Sequence, residues 1–196
     1  MRQPITALPE NYRETRYLSI NQRGVLLWLN IVALALFAVS AALVFSLGRF
    51  YHDTLDAPLV IEGLSFTLPT WLGLLLALLV LPLHEWIHGL AIQQCGHRPR
   101  YGVKLVALFA TSDGAYFRRS EFVRIALAPL VVISAAGLLL MLFLPSDLGH
   151  WIALAITFNA AGAIGDLWMA AIVLRYPPSA LIQDEEDSIR IFTESP

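Results

Sequence analysis

The stretch LPLHEWIHGLAIQQCG, residues 81–96, sets two histidines and a glutamate in an otherwise apolar run. His84 and His88 stand four residues apart, so on a helix both imidazoles lie on one face, where they can share a metal ion. Glu85 follows the first histidine and stands where a general base for an attacking water is needed. HExxH on a helix is for this reason the signature of zinc-dependent peptide hydrolysis. A buried polar cluster that holds helices together is the competing reading. Ionisable side chains at the centre of a bilayer cost about 2.5–3.5 kcal/mol each on insertion scales, so they face a bundle interior and work there.

Two histidines do not complete a hydrolytic centre, because catalytic zinc takes three protein ligands and keeps a fourth position for water. The last apolar run offers one candidate for the third ligand, Asp166 in NAAGAIGDLWMA. Counted at about 1.5 Å per residue, Asp166 and the histidines fall within about a turn of each other in depth, past the middle of two spans that run the same way. Alone, Asp166 would read as a helix-pairing residue; beside HExxH it reads as a ligand. Ala161, Gly162 and Gly165 give its helix a small-residue face that favours close approach of a neighbour. Asn159 lies two turns earlier on nearly the same face. It is expected to contact substrate or the oxyanion, with an interhelical hydrogen bond as the alternative. Pro82 and Pro129 each remove a backbone donor near this depth, which suits a site where water or protein satisfies the freed groups. His52 and His150, at the outer boundary, and His97, in a basic loop, are read as bystanders.

The elements that must position these groups follow from composition. The chain has 196 residues, of which 57% are hydrophobic and 14% charged. A soluble domain carries nearer a quarter charged residues. Runs of the length a span needs occur at Gly24–Leu47, Pro69–Ile92, Phe122–Leu144 and Trp151–Leu174. The sequence therefore predicts an all-α polytopic membrane protein with four transmembrane helices. It divides into a cytoplasmic arm (1–23) with a short interfacial helix around Asn11–Asn21, a transmembrane domain (24–175) and a solvated acidic cytoplasmic tail (176–196). Basic residues gather in the arm and in the connection between the second and third runs (Arg98, Arg100, Lys104, Arg118, Arg119), which places both termini and that connection in the cytoplasm. The segment Val103–Phe117 is too apolar for a plain connector and too short to span. It is expected to form a β-hairpin turning at Thr111–Gly114, or a re-entrant segment, at the cytoplasmic face. Such a hairpin can align an extended substrate by strand addition. The net charge of −2 argues against nucleic acid as a partner, and the lone Cys95 excludes an internal disulfide.

HEWIHG, the later Ala128-Pro129-Leu130 within a hydrophobic span, and NAAGAIGD near the end of the last span resemble the putative zincin peptidases, bacterial integral membrane proteins. The likeness runs from about Leu72 to the tail. It implies a zinc-dependent endopeptidase of the inner membrane that acts on membrane proteins or peptides. His84, His88 and Asp166 would then be ligands and Glu85 the base. More distantly the chain is similar to the site-2-protease class, which pairs HExxH with an aspartate on a later span. That class has a proline after its asparagine and an LDG triplet at the aspartate, where this chain has Gly162 and GDL. The alternative from another class is a non-enzymatic scaffold, transporter subunit or metal sensor. Retention of Glu85 argues against it, since a purely structural zinc site needs no base beside its ligands.

Overall fold

The structure is a computed structural model that describes residues 4–55, 68–104 and 107–195. The element order is β1 (Tyr12–Ser19), α1 (Arg23–Leu55), α2 (Thr70–Leu78), α3 (Val80–Gln94), β2 (Arg100–Lys104), β3 (Ala107–Thr111), β4 (Phe117–Arg118), α4 (Arg119–Leu140), α5 (Ser146–Gly162), α6 (Ile164–Val173), β5 (Leu181–Asp184) and β6 (Ser188–Glu194). Among the described residues three helices are long and apolar enough to cross a membrane: Arg23–Leu55, Thr70–Gln94 and Arg119–Leu140. A fourth span results if α5 and α6, bent by 43° across Ala163, count as one. Their apolar side chains are widely exposed, Leu34 and Trp71 among them, as lipid requires and water does not favour. The protein is a membrane protein, largely helical, with a small β region.

The chain separates into two compact units. The second, Ile31–His84 with Leu130–Ala163, has no strand among its described residues and is built around helices. In it α2 packs on α5, and Gly73 makes room for the Trp151 indole, with which any β-carbon at that position would collide. Gly137 admits Ile156 in the same way, and Val44, Met141, Ala153 and Ile156 form the core. Pro82 has no N–H to return to the carbonyl of Leu78, and the irregular residue between α2 and α3 is Leu79, in that same turn.

The first unit, Met1–Asn30 with Glu85–Pro129 and Ile164–Pro196, holds a four-stranded antiparallel sheet of order β1-β6-β5-β4. Its core gathers Ile92, Phe117, Phe122, Met169, Val173, Ile182, Ile189 and Ile191. Two expectations are corrected here. The arm forms strand β1 rather than an interfacial helix, in register with β6 from Tyr12↔Glu194 to Ser19↔Ser188. The tail is not a solvated run. It folds into the hairpin β5–β6, in which Ile182, Ile189 and Ile191 are fully buried beneath an acidic turn. With this sheet the fold is not all-α.

A hairpin does form in the middle connection, as β2 paired with β3 from Arg100↔Thr111 to Lys104↔Ala107. It reverses between Lys104 and Ala107, not at Thr111–Gly114; Leu105 and Val106 lie outside the described residues, as do Asp56, Pro58, Glu62 and Gly63 of the outer segment. The turn at Asp113–Gly114 instead leads to β4, which pairs with β5. Thr111 Oγ1 donates to the Asp184 carbonyl at 3.2 Å and Arg100 meets Glu186 at 2.6 Å, tying the hairpin to β5–β6. At the start of α4, Glu121 accepts from the Arg118 backbone N–H at 2.9 Å, the return half of a capping box that fixes where the helix begins.

Candidate metal centre

Helix α3 places one ligand atom from each of His84, Glu85 and His88 within 4.8 Å of one another. Both histidines are buried, and Glu85 is partly exposed. Within the second unit, His84 Nδ1 lies 2.9 Å from Asn159 Oδ1. Within the first, His88 Nδ1 lies 2.9 Å from the Ile125 carbonyl oxygen. Carbonyl oxygens only accept, so each imidazole carries a proton on Nδ1, and in the neutral ring the lone pair is then on Nε2. Metal-binding histidines are held in this way, with the second nitrogen donating to a fixed acceptor that sets tautomer and ring orientation.

The acceptor for His88 has a cause in the sequence. Ile125 is four residues before Pro129, inside α4. A helical residue at 129 would donate its N–H to that carbonyl; proline has none to give. The buried proline thus frees the oxygen that His88 uses.

Asp166 sits in the first turn of α6, with Oδ2 3.4 Å from His88 Nε2. In the metal-free chain a proton on Nε2 joins the two groups as an ion pair; with that proton gone, the same two atoms could flank a metal cation. Ligands about 2.0–2.1 Å from a tetrahedral zinc stand about 3.4 Å apart, so this pair fits the edge of such a site. The helix break before Asp166 falls among Gly162, Ala163 and Gly165. A β-carbon on either glycine would meet nothing within 4 Å, so these glycines do not make the expected close helix contact. Their low helix propensity accounts for the bend instead.

Asn159 is 1% exposed, with its amide oxygen engaged by His84, so it stands behind a histidine. One residue escaped the sequence reading. Burial pushes the Asp184 carboxyl of β5 up to about 7; Thr111 and His88 oppose the rise, while the charges of Asp166 and Glu85 add to it. It lies within electrostatic reach of the α3 cluster, yet in sequence it opens the acidic run DEED, which carries no such signal. The second unit also has a cavity of about 400 Å³ beside Phe45, Tyr51, Met141 and His150, with no HExxH residue in its lining.

The HExxH cluster His84–Glu85–His88 on a helix in an apolar span is one that could hold a metal ion. A family model described as putative zincin peptidase matches residues 77–181, and the chain belongs to that family. The matched segment runs from the end of α2 through Asp166 to the first residue of β5. No curated protein and no solved structure matches the chain.

Proposed function

We propose that the protein is a zinc-dependent, membrane-embedded endopeptidase of the bacterial inner membrane that hydrolyses peptide bonds of membrane-associated proteins or peptides. The observation that carries this reading is the two-sided environment of His88, with Nδ1 on the Ile125 carbonyl and Nε2 facing Asp166. His84 and His88 serve as ligands through Nε2, and Asp166 is the third ligand on the strength of its pairing with His88. Zinc, when bound, lowers the pKa of water and polarises a carbonyl group. Glu85 takes the proton of the attacking water and delivers it to the leaving amine, so that water adds across the C–N bond. Asn159 and the Ile125 carbonyl hold the two imidazoles still while this happens. The β2–β3 hairpin, next along the chain from α3, offers an edge on which an extended substrate can align.

The test compares membranes expressing the wild type with those expressing Glu85→Gln, by quantitative proteomics and by the zinc content of the purified proteins. Glu85→Gln is expected to keep zinc and to abolish cleavage products. Asp166→Ala and His84→Ala are expected to lose zinc. An Asp166→Ala protein that holds zinc as tightly as the wild type removes the third ligand from this scheme.

A further inference from the structure

Peptide hydrolysis puts negative charge on the carbonyl oxygen under attack, and a fixed hydrogen-bond donor at that point is worth about 10²–10³ in kcat. Asn159, the residue whose type and place in the sequence suit that task, is buried with its amide oxygen committed to His84. The first unit offers another group. Gly89 follows His88 directly and lies four residues after Glu85, hence on the same face of α3, one turn on. Its missing side chain leaves a space that the Tyr101 hydroxyl of β2 enters; a β-carbon at Gly89 would overlap the phenol oxygen and the ring carbon that bears it.

Tyr101 is 47% exposed, so its ring is not core filling. Among the described residues its hydroxyl forms no hydrogen bond with the protein, although the phenol lies against the helix that carries the general base. Strand β2 delivers it there because the hairpin is tied down by Arg100 and Thr111. Residues of a strand alternate between faces, so Tyr101 and Val103 share one and Arg100 and Gly102 the other. Tyr101 thus projects from the side opposite Arg100, whose guanidinium covers the Phe109 ring and engages Glu186.

We propose that Tyr101 is a catalytic residue, its hydroxyl donating a hydrogen bond to the substrate carbonyl oxygen as charge develops there, with Gly89 as the position that admits it. The proposal rests on the peptidase reading above. It is tested on the full-length, zinc-loaded protein in detergent, with dye-labelled casein as substrate and a phosphinic dipeptide as a stable tetrahedral mimic. Tyr101→Phe keeps the ring and removes only the hydroxyl. It is expected to keep zinc, lower kcat by about 10²–10³-fold with KM within about twofold, and weaken phosphinate binding by the same factor. Gly89→Ala, which displaces the phenol, should reproduce the loss, and the double variant should add nothing to it. Wild-type kcat and phosphinate affinity in Tyr101→Phe overturn the assignment, as does loss of zinc, which would make the hydroxyl structural. A wild type that neither cleaves casein nor binds the phosphinate sinks the peptidase reading, and this proposal with it.

Discussion

His88 shows how much of this centre is set by single atoms, including one that is missing. Because Pro129 cannot donate, the Ile125 carbonyl is available to His88 Nδ1, and because that nitrogen is held there, Nε2 is the atom that faces Asp166. Pro129→Ala gives the carbonyl its helical partner back. The two effects have opposite signs. Helix α4 gains a hydrogen bond, so the metal-free protein should melt at a higher temperature. Zinc affinity should fall by about 10-fold, the low end for losing an outer-shell partner, since a carbonyl can still share its second lone pair. Chelator competition measures the second effect, and an unchanged zinc affinity would show that the proline serves the backbone alone. Asp184 permits a test by pH. Its folded pKa of about 7 lies above the carboxylate's ordinary 3.8. The stability it contributes is therefore complete below about pH 4 and lost as pH rises through 7. In metal-free protein, Asp184→Asn should be more stable than the wild type at pH 8 and gain nothing at pH 4. Equal melting curves at pH 8 would contradict this. His84, Glu85 and His88 were legible from spacing alone. Asp184 was not, because its burial depends on strands that meet only in the folded chain.

At the scale of elements, the spans were legible and the sheet was not, for a physical reason. A span is a local property, some 20 apolar residues in a row, and each expected run overlaps a helix or helix pair. Strand β1 pairs with β6 more than 150 residues away, and neither shows its partner in its own pattern. Strand propensity depends on such neighbours more than helix propensity does. The run QDEEDSIRIF looked solvated because of its acidic half, whose residues are in fact partly buried; SIRIF then alternates Ile189 and Ile191 into the core while Arg190 points outward to Glu14 and Glu185. Ile182, Ile189 and Ile191 of this hairpin are thus part of the core. Ile191→Ala, at a fully buried position, should cost about 2–5 kcal/mol of stability, read as a lowered thermal midpoint in detergent. A substitution at an exposed position, such as Glu10→Gln, serves as the reference. If Ile191→Ala melts with the wild type, β6 is an ornament and the acidic tail is solvated after all. The α5–α6 bend escaped sequence reading for a related reason, since Gly162 and Gly165 resemble packing glycines until their surroundings are known.

For the whole molecule, the sheet bears on the number of membrane crossings, which helix length alone leaves at three or four. Strand β1 precedes the first span, β4 lies between α3 and α4, and β5 and β6 follow α6. All four share one sheet joined by main-chain hydrogen bonds, so these three stretches of chain must lie on the same side of the bilayer. Three crossings would put β5 and β6 opposite β1 and break the sheet. An even count is therefore expected, and if α1, α2–α3 and α4 cross, the prediction is that the bent pair α5–α6 crosses as well. The basic residues give the expected side: Arg13, Arg16, Arg100, Arg118, Arg119 and Arg190 all belong to the strand-bearing stretches or their immediate flanks. Positive residues are retained in the cytoplasm. Reporter fusions after Arg100 and at the C-terminus should therefore give cytoplasmic signals, and a fusion after Asp147, between α4 and the body of α5, an outer one. Because a truncating fusion after Arg100 removes β5 and β6, the C-terminal fusion to the intact chain is the decisive measurement. An outer signal there, with the β1 arm and the Arg100 fusion cytoplasmic, is incompatible with pairing of β1 and β6. It would also mean that the span carrying Asp166 does not run the same way as the span carrying the histidines, which removes the depth argument that first joined them.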